Sequence, residues 1–452
     1  MPDPLDGFRE AVRYPFWESL FHRRSRRISE GIKEVRAGSL TYKSARKAVP
    51  LSPLEEAMLI AATGATGVTL PDRPFQDAQG KNILGAPNLN FVGRAAGSTD
   101  NAQATSFFLI NDSGTYFLRP VSPLRPNEEV TPAVLVSRAE NSKVRVLDER
   151  LTFPREFPYY LDSNRFLSNV EGSTVLVPVV DMTRQYINAL MYVLTEKEGT
   201  RPVILDDRNF HQPAGVKKWI RSGFLNPEIK ITLGALGTMR THIEAELLLQ
   251  NVMLLLQAIG LGGWIHAAIG PPYLLGHPYL AKENKGLAFD FVIPPRRWLG
   301  LLDLIRWGTP LPITRANPVG LRDLIRCYCP PRFKDMSAAV DAVVAEKFAE
   351  PGGLYRNKEF FGTIFRDGKG QTYIQELPKY EPQVIDCTKD ICNYILQTHG
   401  RFPAHVDGIY VPGVWIQAHH LDLEYYDALF KPGYGYTEMQ REHMQRWHGE
   451  RP

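Results

Sequence analysis

The sequence predicts an α+β fold in which a central mixed or antiparallel sheet is flanked by helices around one long buried helix. Residues 241–260, THIEAELLLQNVMLLLQAIG, are apolar around nearly the whole circumference of a helix. Such a helix belongs in a large core or in a subunit interface. Elsewhere, strand-like runs alternate with helix-like runs, and residues 105–118 read as a hairpin turned at 111–114.

The ends of the long helix carry their own signals. Thr241 and Glu244 have the spacing of a capping box. Gly260 is placed for a left-handed C-cap, and Gly262 and Gly263 permit close backbone approach. No run of about 18 apolar residues exists, so we expect no membrane span.

Two further helices are expected before the hairpin. Pro15 begins the first, which carries an apolar stripe and runs into the basic segment RRSRR, residues 23–27. Ser52 and Glu55 form a second capping box, with Pro53 at the first helical position. Residues 68–97 are rich in Pro, Gly, Asn and Asp, which predicts an inserted surface loop.

The remaining elements follow from apolar periodicity and turn residues. Strands are expected at 133–137, 144–147, 174–180, 202–205 and 287–293. Helices are expected at 183–196, 298–305, 337–348 and 388–398, with a short basic amphipathic piece at 215–223 and a hairpin at 360–376.

Composition excludes several classes of function. The net charge of +4 comes from 53 basic and 49 acidic residues, which is not the signature of a nucleic-acid-binding protein. The N-terminal residues lack the apolar region of a signal peptide, and the four cysteines suit free thiols, so we expect a cytoplasmic protein. Their CxC and CxxxxC spacings do not favour a cysteine zinc site.

Three distant segments fit a single interpretation when their order along the chain is considered. They are RRSRR at 23–27, STDNAQ at 98–103 directly before a strand, and the buried helix that ends in GLGGW. A later GTPLPITR segment ends at Arg315. In order and context these segments resemble the nitroreductase family of FMN flavoenzymes. The resemblance covers residues 12–325, the expected flavin-binding core, and leaves 326–452 as a C-terminal extension of unknown role.

The resemblance implies a flavin site. Arginine side chains bind phosphate well through paired, charge-assisted hydrogen bonds, and the family pattern assigns phosphate binding to the basic segment. Asn and Gln amides suit the polar edge of an isoalloxazine ring, and backbone near the glycine turn would face its reactive nitrogen. The cofactor-binding residues implied are Arg23, Arg24, Ser25, Arg27, Ser98, Asn101, Gln103, Ile265, His266, Ala267, Ala268 and Arg315.

The resemblance also implies an activity: an FMN-dependent oxidoreductase that passes a hydride or electrons to a small organic acceptor. The route is ping-pong, and it accommodates NAD(P)H as donor. A homodimer paired through the central helix is expected. Ala104-Thr105 stands where the family has Pro-Trp, so the substrate is not carried over. One alternative is a flavin-binding or small-ligand-binding protein without turnover.

The tail from residue 401 is dense in titratable groups, among them His405, Asp407, His419, His420, Asp422, Glu424 and Asp427. The last five are expected on one helix, with His420, Glu424 and Asp427 on one face. One interpretation is a metal-dependent enzyme or a substrate pocket built on this cluster. We favour the other interpretation, a helix packed on the core with solvated polar groups and no metal.

Overall fold

The computed structural model describes residues 4–36, 38–64, 66–72, 87–120, 129–161, 163–237, 241–267, 269–281, 284–294 and 316–449. The helices are α1 (Pro4–Ala11), α2 (Phe16–His22), α3 (Pro53–Gly64), α4 (Pro132–Ser142), α5 (Thr183–Leu194), α6 (Lys217–Arg221), α7 (Leu233–Gly237), α8 (Thr241–Ile259), α9 (Pro271–Leu275), α10 (Met336–Phe348), α11 (Lys358–Ile364), α12 (Lys369–Glu376), α13 (Pro382–His399), α14 (Leu423–Leu429) and α15 (Glu438–His448).

The strands are β1 (Thr66–Val68), β2 (Val92–Arg94), β3 (Thr105–Asn111), β4 (Gly114–Leu118), β5 (Lys143–Leu147), β6 (Thr174–Asp181), β7 (Pro202–Asp206), β8 (Gln212–Pro213), β9 (Asn226–Thr232), β10 (Gly262–His266), β11 (Asp290–Val292), β12 (Asn317–Leu321), β13 (Ile325–Arg326), β14 (Ile409–Tyr410) and β15 (Trp415–His419). The largest sheet has seven antiparallel strands in the order β10-β15-β6-β3-β4-β5, with β14 also paired to β6. The predicted α+β class with an antiparallel central sheet is therefore confirmed.

One strand of this sheet comes from the far end of the chain. β15 lies between β10 and β6, paired with both in antiparallel register. The C-terminal segment therefore contributes an interior strand to the central sheet.

The sheet is covered on both faces, which explains why β6 is buried along nearly its whole length. Side chains alternate across each strand. Phe107 and Leu109 of β3 belong to the core cluster that includes α3, α4 and α8, whereas Phe108 and Ile110 belong to the cluster that includes α5, α10 and α13. The result is three layers, helices over sheet over helices.

The predicted hairpin is confirmed as β3 and β4, with Asn111 opposite Gly114. Two strand predictions are wrong. Residues 133–137 lie in α4, because the Thr131 side chain caps the helix by accepting from the Val134 amide. Residues 360–376 form α11 and α12, and the Asn357 side chain caps the first of them.

The strand expected over 287–293 is shorter, because β11 spans only Asp290–Val292. The helix expected at 298–305 and most of the GTPLPITR segment lie outside the described residues. In the loop expected over 68–97, Leu89 and Phe91 are buried, so the end of that segment belongs to the core.

The capping box at α3 is confirmed, whereas the side chain of Thr241, which begins the box predicted for α8, lies outside the described residues. At α3, the Ser52 hydroxyl accepts from the Glu55 amide at 3.3 Å and Glu55 Oε2 accepts from the Ser52 amide at 2.6 Å, as predicted. At α8, Glu244 Oε1 accepts from the amide of Thr105 at 3.0 Å. That carboxylate ties the start of α8 to the start of β3.

Helix α8 is buried mainly within its own chain, against the sheet and against α1, α2, α3 and α15. It ends at Gly260, whose φ of 82° is the predicted left-handed cap. Two apolar residues of the helix stay exposed, Ile243 at 37% and Leu247 at 42%. Among the described residues no helix is long and apolar enough to cross a membrane. All four cysteines are free and buried.

The core around α8 yields the first prediction. Leu249 is fully buried, so Leu249→Ala should lower the free energy of unfolding by about 2–5 kcal/mol. Leu70→Ala is the matched control, because Leu70 is 57% exposed and should lose less than about 0.5 kcal/mol. Urea unfolding measures both, and similar losses would show that α8 is not packed as described.

Candidate functional site

The arginine-rich segment lies beside the glycine turn that follows α8. The amide of Arg26 donates to Gly263 O at 3.0 Å, in an antiparallel bridge to β10. Gly263 is needed there, because a Cβ would lie 2.4 Å from Leu256 Cδ1 and 2.6 Å from Gln417 O. A larger residue at this position would therefore not fit between α8 and the sheet.

Arg26 is the buried arginine of this segment, and it is the one that was not expected to bind the cofactor. Arg26 donates to Gly435 O at 2.8 Å and to Gln257 Oε1 at 3.3 Å, and burial lowers its pKa to about 10. Arg24 and Arg27 are exposed, and Arg23 is half-buried. The Arg27 guanidinium lies 5.3 Å from the ring centroid of Trp264.

Residues 98–103 hold their own loop together. Asn101 Nδ2 donates to Asn90 O at 2.8 Å, and Gln103 Oε1 accepts from the Arg94 amide at 2.9 Å. Ser98 Oγ accepts from the Gln103 amide at 3.1 Å. The side-chain amides that were predicted to contact a flavin ring thus hydrogen-bond to the backbone of nearby residues, although Gln103 remains half-exposed.

At the end of β10 the predicted residues diverge. Ile265 is half-buried and Ala267 is exposed, whereas His266 is buried between Trp264 and Trp415. His266 Nε2 lies 2.8 Å from Ser168 Oγ, and burial lowers the pKa of this imidazole to about 3. His266 is therefore a packed, neutral histidine. Ala268 and Arg315 lie outside the described residues.

A cleft of about 660 Å³ opens beside the start of β3. Its floor is apolar, with side chains of α3 and α4, and Gln103 lies on its wall. Four arginines also line it: Arg94, Arg119, Arg138 and Arg184. The volume and the apolar floor with a few charged groups are typical of small-molecule sites.

A second cluster lies at the other end of the sheet, where three imidazoles meet one carboxylate. Glu55 Oε1 lies 3.1 Å from His420 Nε2, 2.7 Å from His443 Nε2 and 3.1 Å from His448 Nε2. One ligand atom from each of the four residues falls within 4.8 Å of the other three. The side chains of Glu55, His420 and His443 are at most 3% exposed, and that of His448 is 18% exposed.

Three separate elements position this cluster. Glu55 stands in the first turn of α3, His420 directly follows β15, and the other two histidines are on α15. The outer ring nitrogens of two histidines are fixed by carbonyls: His420 Nδ1 lies 3.0 Å from Val49 O and His443 Nδ1 lies 2.7 Å from Ile259 O.

The electrostatics of this cluster are dominated by burial and by the carboxylate. Burial alone would raise the pKa of Glu55, but the histidines outweigh it and the pKa lies well below its usual range. Burial opposes protonation of His420, yet Glu55 raises its pKa. For His443 burial prevails and the pKa is lowered.

The other tail residues do not join this cluster, so the predicted one-face grouping is wrong. His419 lies in β15, and α14 begins only at Leu423. Asp422 caps α14 by accepting from the Tyr425 amide, Glu424 pairs with Arg46, and Asp427 accepts from Tyr436. His405 lies beside Asp207, and Asp407 pairs with Arg401.

Sequence reasoning missed Glu55, His443 and His448. Their separation along the chain gives no spacing signal, and the capping box accounted for Glu55 without a second role. Of the four residues of the cluster, only His420 belongs to the titratable group predicted from the sequence. Comparison with known proteins adds no residue, since neither a protein-family model nor a curated protein matches this sequence.

The packed state of His266 gives the second prediction. Its pKa is about 3 in the folded protein, against about 6.5 in an unfolded chain. The unfolded chain therefore binds the proton first, and stability falls as the pH drops from about 6.5 towards 3. The contribution of His266 to this slope is at most ~1.4 kcal/mol per pH unit. His266→Gln should make the slope shallower in urea unfolding measured across this range, and an unchanged slope would contradict the assignment.

Proposed function

We propose that the protein is an FMN-dependent oxidoreductase. One observation carries this proposal: the arginine-rich segment pairs with β10 directly after the glycine turn that ends α8. Two of the three segments that resemble the nitroreductase family thus come into contact. Either segment alone is a weak signal, but distant segments that meet at one edge of a sheet can build a shared site.

The charges of the basic segment favour an anionic ligand. Among the residues that the structure describes, no carboxylate pairs with Arg23, Arg24 or Arg27. Within the described ranges, the side chain of Arg24 donates only to the carbonyls of Phe21 and Arg23. A phosphate dianion would supply the missing counter-charge through charge-assisted hydrogen bonds. The flavin would supply the redox chemistry, and these residues would bind and orient it.

The third segment lies nearer to the end of β10 than to the basic segment. The strand register places the end of β10 and the start of β3 toward the same end of the sheet. They are three strand positions apart, which is roughly 14 Å at the usual strand spacing. Arg26, however, pairs with Gly263 near the start of β10, so the basic segment lies towards the opposite end of the sheet from Gln103, and a ligand beside Gln103 would reach the end of β10 rather than the arginines.

The second candidate is a ligand-binding protein without turnover, which the cleft beside Gln103 favours. Arg119 and Arg138 on its wall have no ion pair with any described residue, so an anionic amphipathic molecule would complement it. Anaerobic addition of NAD(P)H to flavin-loaded protein discriminates the two. Bleaching of the flavin absorbance and its return with an acceptor support the oxidoreductase, whereas bound but unreactive flavin supports binding alone.

A homodimer is part of the first proposal, and the surface of α2 supports it. Phe16, Trp17 and Phe21 are 62%, 66% and 67% exposed. They lie on a helix that packs beside α8, whose Leu247 is also exposed. Contiguous exposed apolar side chains of this size are typical of an interface with another chain.

The flavin proposal predicts that Arg23→Ala and Arg27→Ala each weaken FMN binding about tenfold or more, because a hydrogen bond to a charged group contributes about 1.5–3 kcal/mol. Flavin fluorescence titration of the full chain measures the dissociation constant. Arg13→Ala is the control, since Arg13 is exposed but lies outside the segment. Unchanged affinity in both variants, or absence of FMN binding in the wild type, would refute the proposal.

The dimer proposal predicts that Trp17→Glu converts the dimer to a monomer, because the interface would have to bury an unpaired charge. Light scattering at micromolar concentration reports the mass. Phe210→Glu, at a residue with 70% exposure elsewhere, should leave the dimer intact. A wild-type protein that is monomeric under these conditions would contradict the dimer.

A further inference from the structure

We propose that Glu55, His420, His443 and His448 form a zinc-binding centre that fastens the C-terminal helix to the core. This inference is independent of the flavin and rests on the geometry of the four side chains. Each offers one ligand atom, and the four atoms lie within 4.8 Å of one another.

The hydrogen-bond partners of the rings carry the argument. A backbone carbonyl can only accept, so Nδ1 of His420 faces Val49 O as an N–H, and Nδ1 of His443 faces Ile259 O in the same way. In a neutral imidazole the other nitrogen, Nε2, then carries a lone pair. Both Nε2 atoms point at Glu55 Oε1, which as a carboxylate oxygen also only accepts.

Lone pairs that converge on one point need a cation between them. Protons could fill that role only if His420 and His443 were both imidazolium ions, with ring centroids 5.3 Å apart in a buried site. Glu55 favours one such cation, but burial and repulsion by the first cation both oppose a second. A divalent metal ion satisfies the same atoms with neutral imidazoles, and histidines that bind metals usually donate their other N–H to a carbonyl or carboxylate.

The donor set and its size fit zinc. Zn²⁺ binds imidazole nitrogen and carboxylate oxygen at roughly 2.0–2.2 Å, usually with four ligands in a tetrahedron. Such bonds place neighbouring ligand atoms about 3.3 Å apart. The Oε1 to Nε2 distances of 2.7–3.1 Å need to open by only a few tenths of an ångström. Three imidazoles with one carboxylate favour zinc over the oxygen-seeking cations Mg²⁺ and Ca²⁺.

Four protein ligands fill a tetrahedral site, which is typical of a structural metal. The ion would join the start of α3, the end of β15 and α15. Helix α15 also packs on α1, where Trp447 covers Gly7 so closely that no Cβ would fit. The metal would therefore hold both the N-terminal and the C-terminal helix against α8.

The centre lies close to the basic segment, since the amide of Glu30 donates to His420 O at 2.9 Å, but it is remote from the end of β10. His420 follows the end of β15, whereas His266 at the end of β10 pairs with the start of that strand. Five strand residues separate the two positions, or about 16 Å along the strand. None of the four proposed metal ligands is among the residues proposed to bind the flavin, so the two proposals can fail separately.

The test is zinc binding by the full-length chain. Protein stripped with a chelator is loaded with zinc chloride and dialysed, and zinc per chain is measured by atomic emission. We expect one tightly held zinc per chain in the wild type. His448→Ala should weaken zinc affinity by at least about a hundredfold, because loss of a group that only orients a ligand already costs roughly 10–100-fold.

His211→Ala is the matched control, since His211 is exposed and lies outside the cluster. Glu55→Gln is a second variant that keeps the side-chain shape and an oxygen for the Ser52 amide. Circular dichroism should show that this variant is folded, and atomic emission should show that it has lost zinc. Cobalt loading should give the visible bands of a tetrahedral site in the wild type and in His211→Ala only. A wild type with well under one zinc, or equal zinc in His448→Ala and His211→Ala, would overturn the proposal.

Discussion

The structure depends on a carboxylate with no contact with solvent. Glu55 is fully buried, and a buried carboxylate without cationic partners costs several kcal/mol. Its partners come from residues 420, 443 and 448, so this charge is satisfied only when the start of α3, the end of β15 and α15 come together. The same four side chains that solve this electrostatic problem form the proposed metal centre.

The central sheet imposes the same requirement on the chain. Because β15 lies between β10 and β6, the sheet is incomplete until the C-terminal segment is in place. The strand then separates two regions with different chemistry. At one end, Glu55 and the histidines suit a structural metal and the basic segment lies beside them, whereas Gln103 and its cleft lie towards the other end. Fold and proposed function are thus coupled through one strand of five residues.

Local patterns in the sequence predicted the elements whose signals are local. The hairpin, the Ser52 capping box and the extent of α8 are confirmed because turn residues, caps and apolar periodicity act within a few residues. The apolar run of residues 133–137 fits a strand as well as a helix, and the Thr131 cap selects the helix. The place of β15 had no such signal, since it depends on pairing with distant strands.

Glu55 shows why the histidine cluster could not be found from sequence. Its Oε2 makes the predicted cap to Ser52, while its Oε1 faces three histidines more than 360 residues away in the chain. Because the helix cap already explains a glutamate at position 55, the local sequence gives no sign of its contact with the histidines. Anomalous diffraction at the zinc edge from crystals of the full chain tests the central claim most directly. The account predicts a peak between Glu55 Oε1 and the three Nε2 atoms at bonding distance, and a cluster without a peak, joined by hydrogen bonds alone, would contradict it.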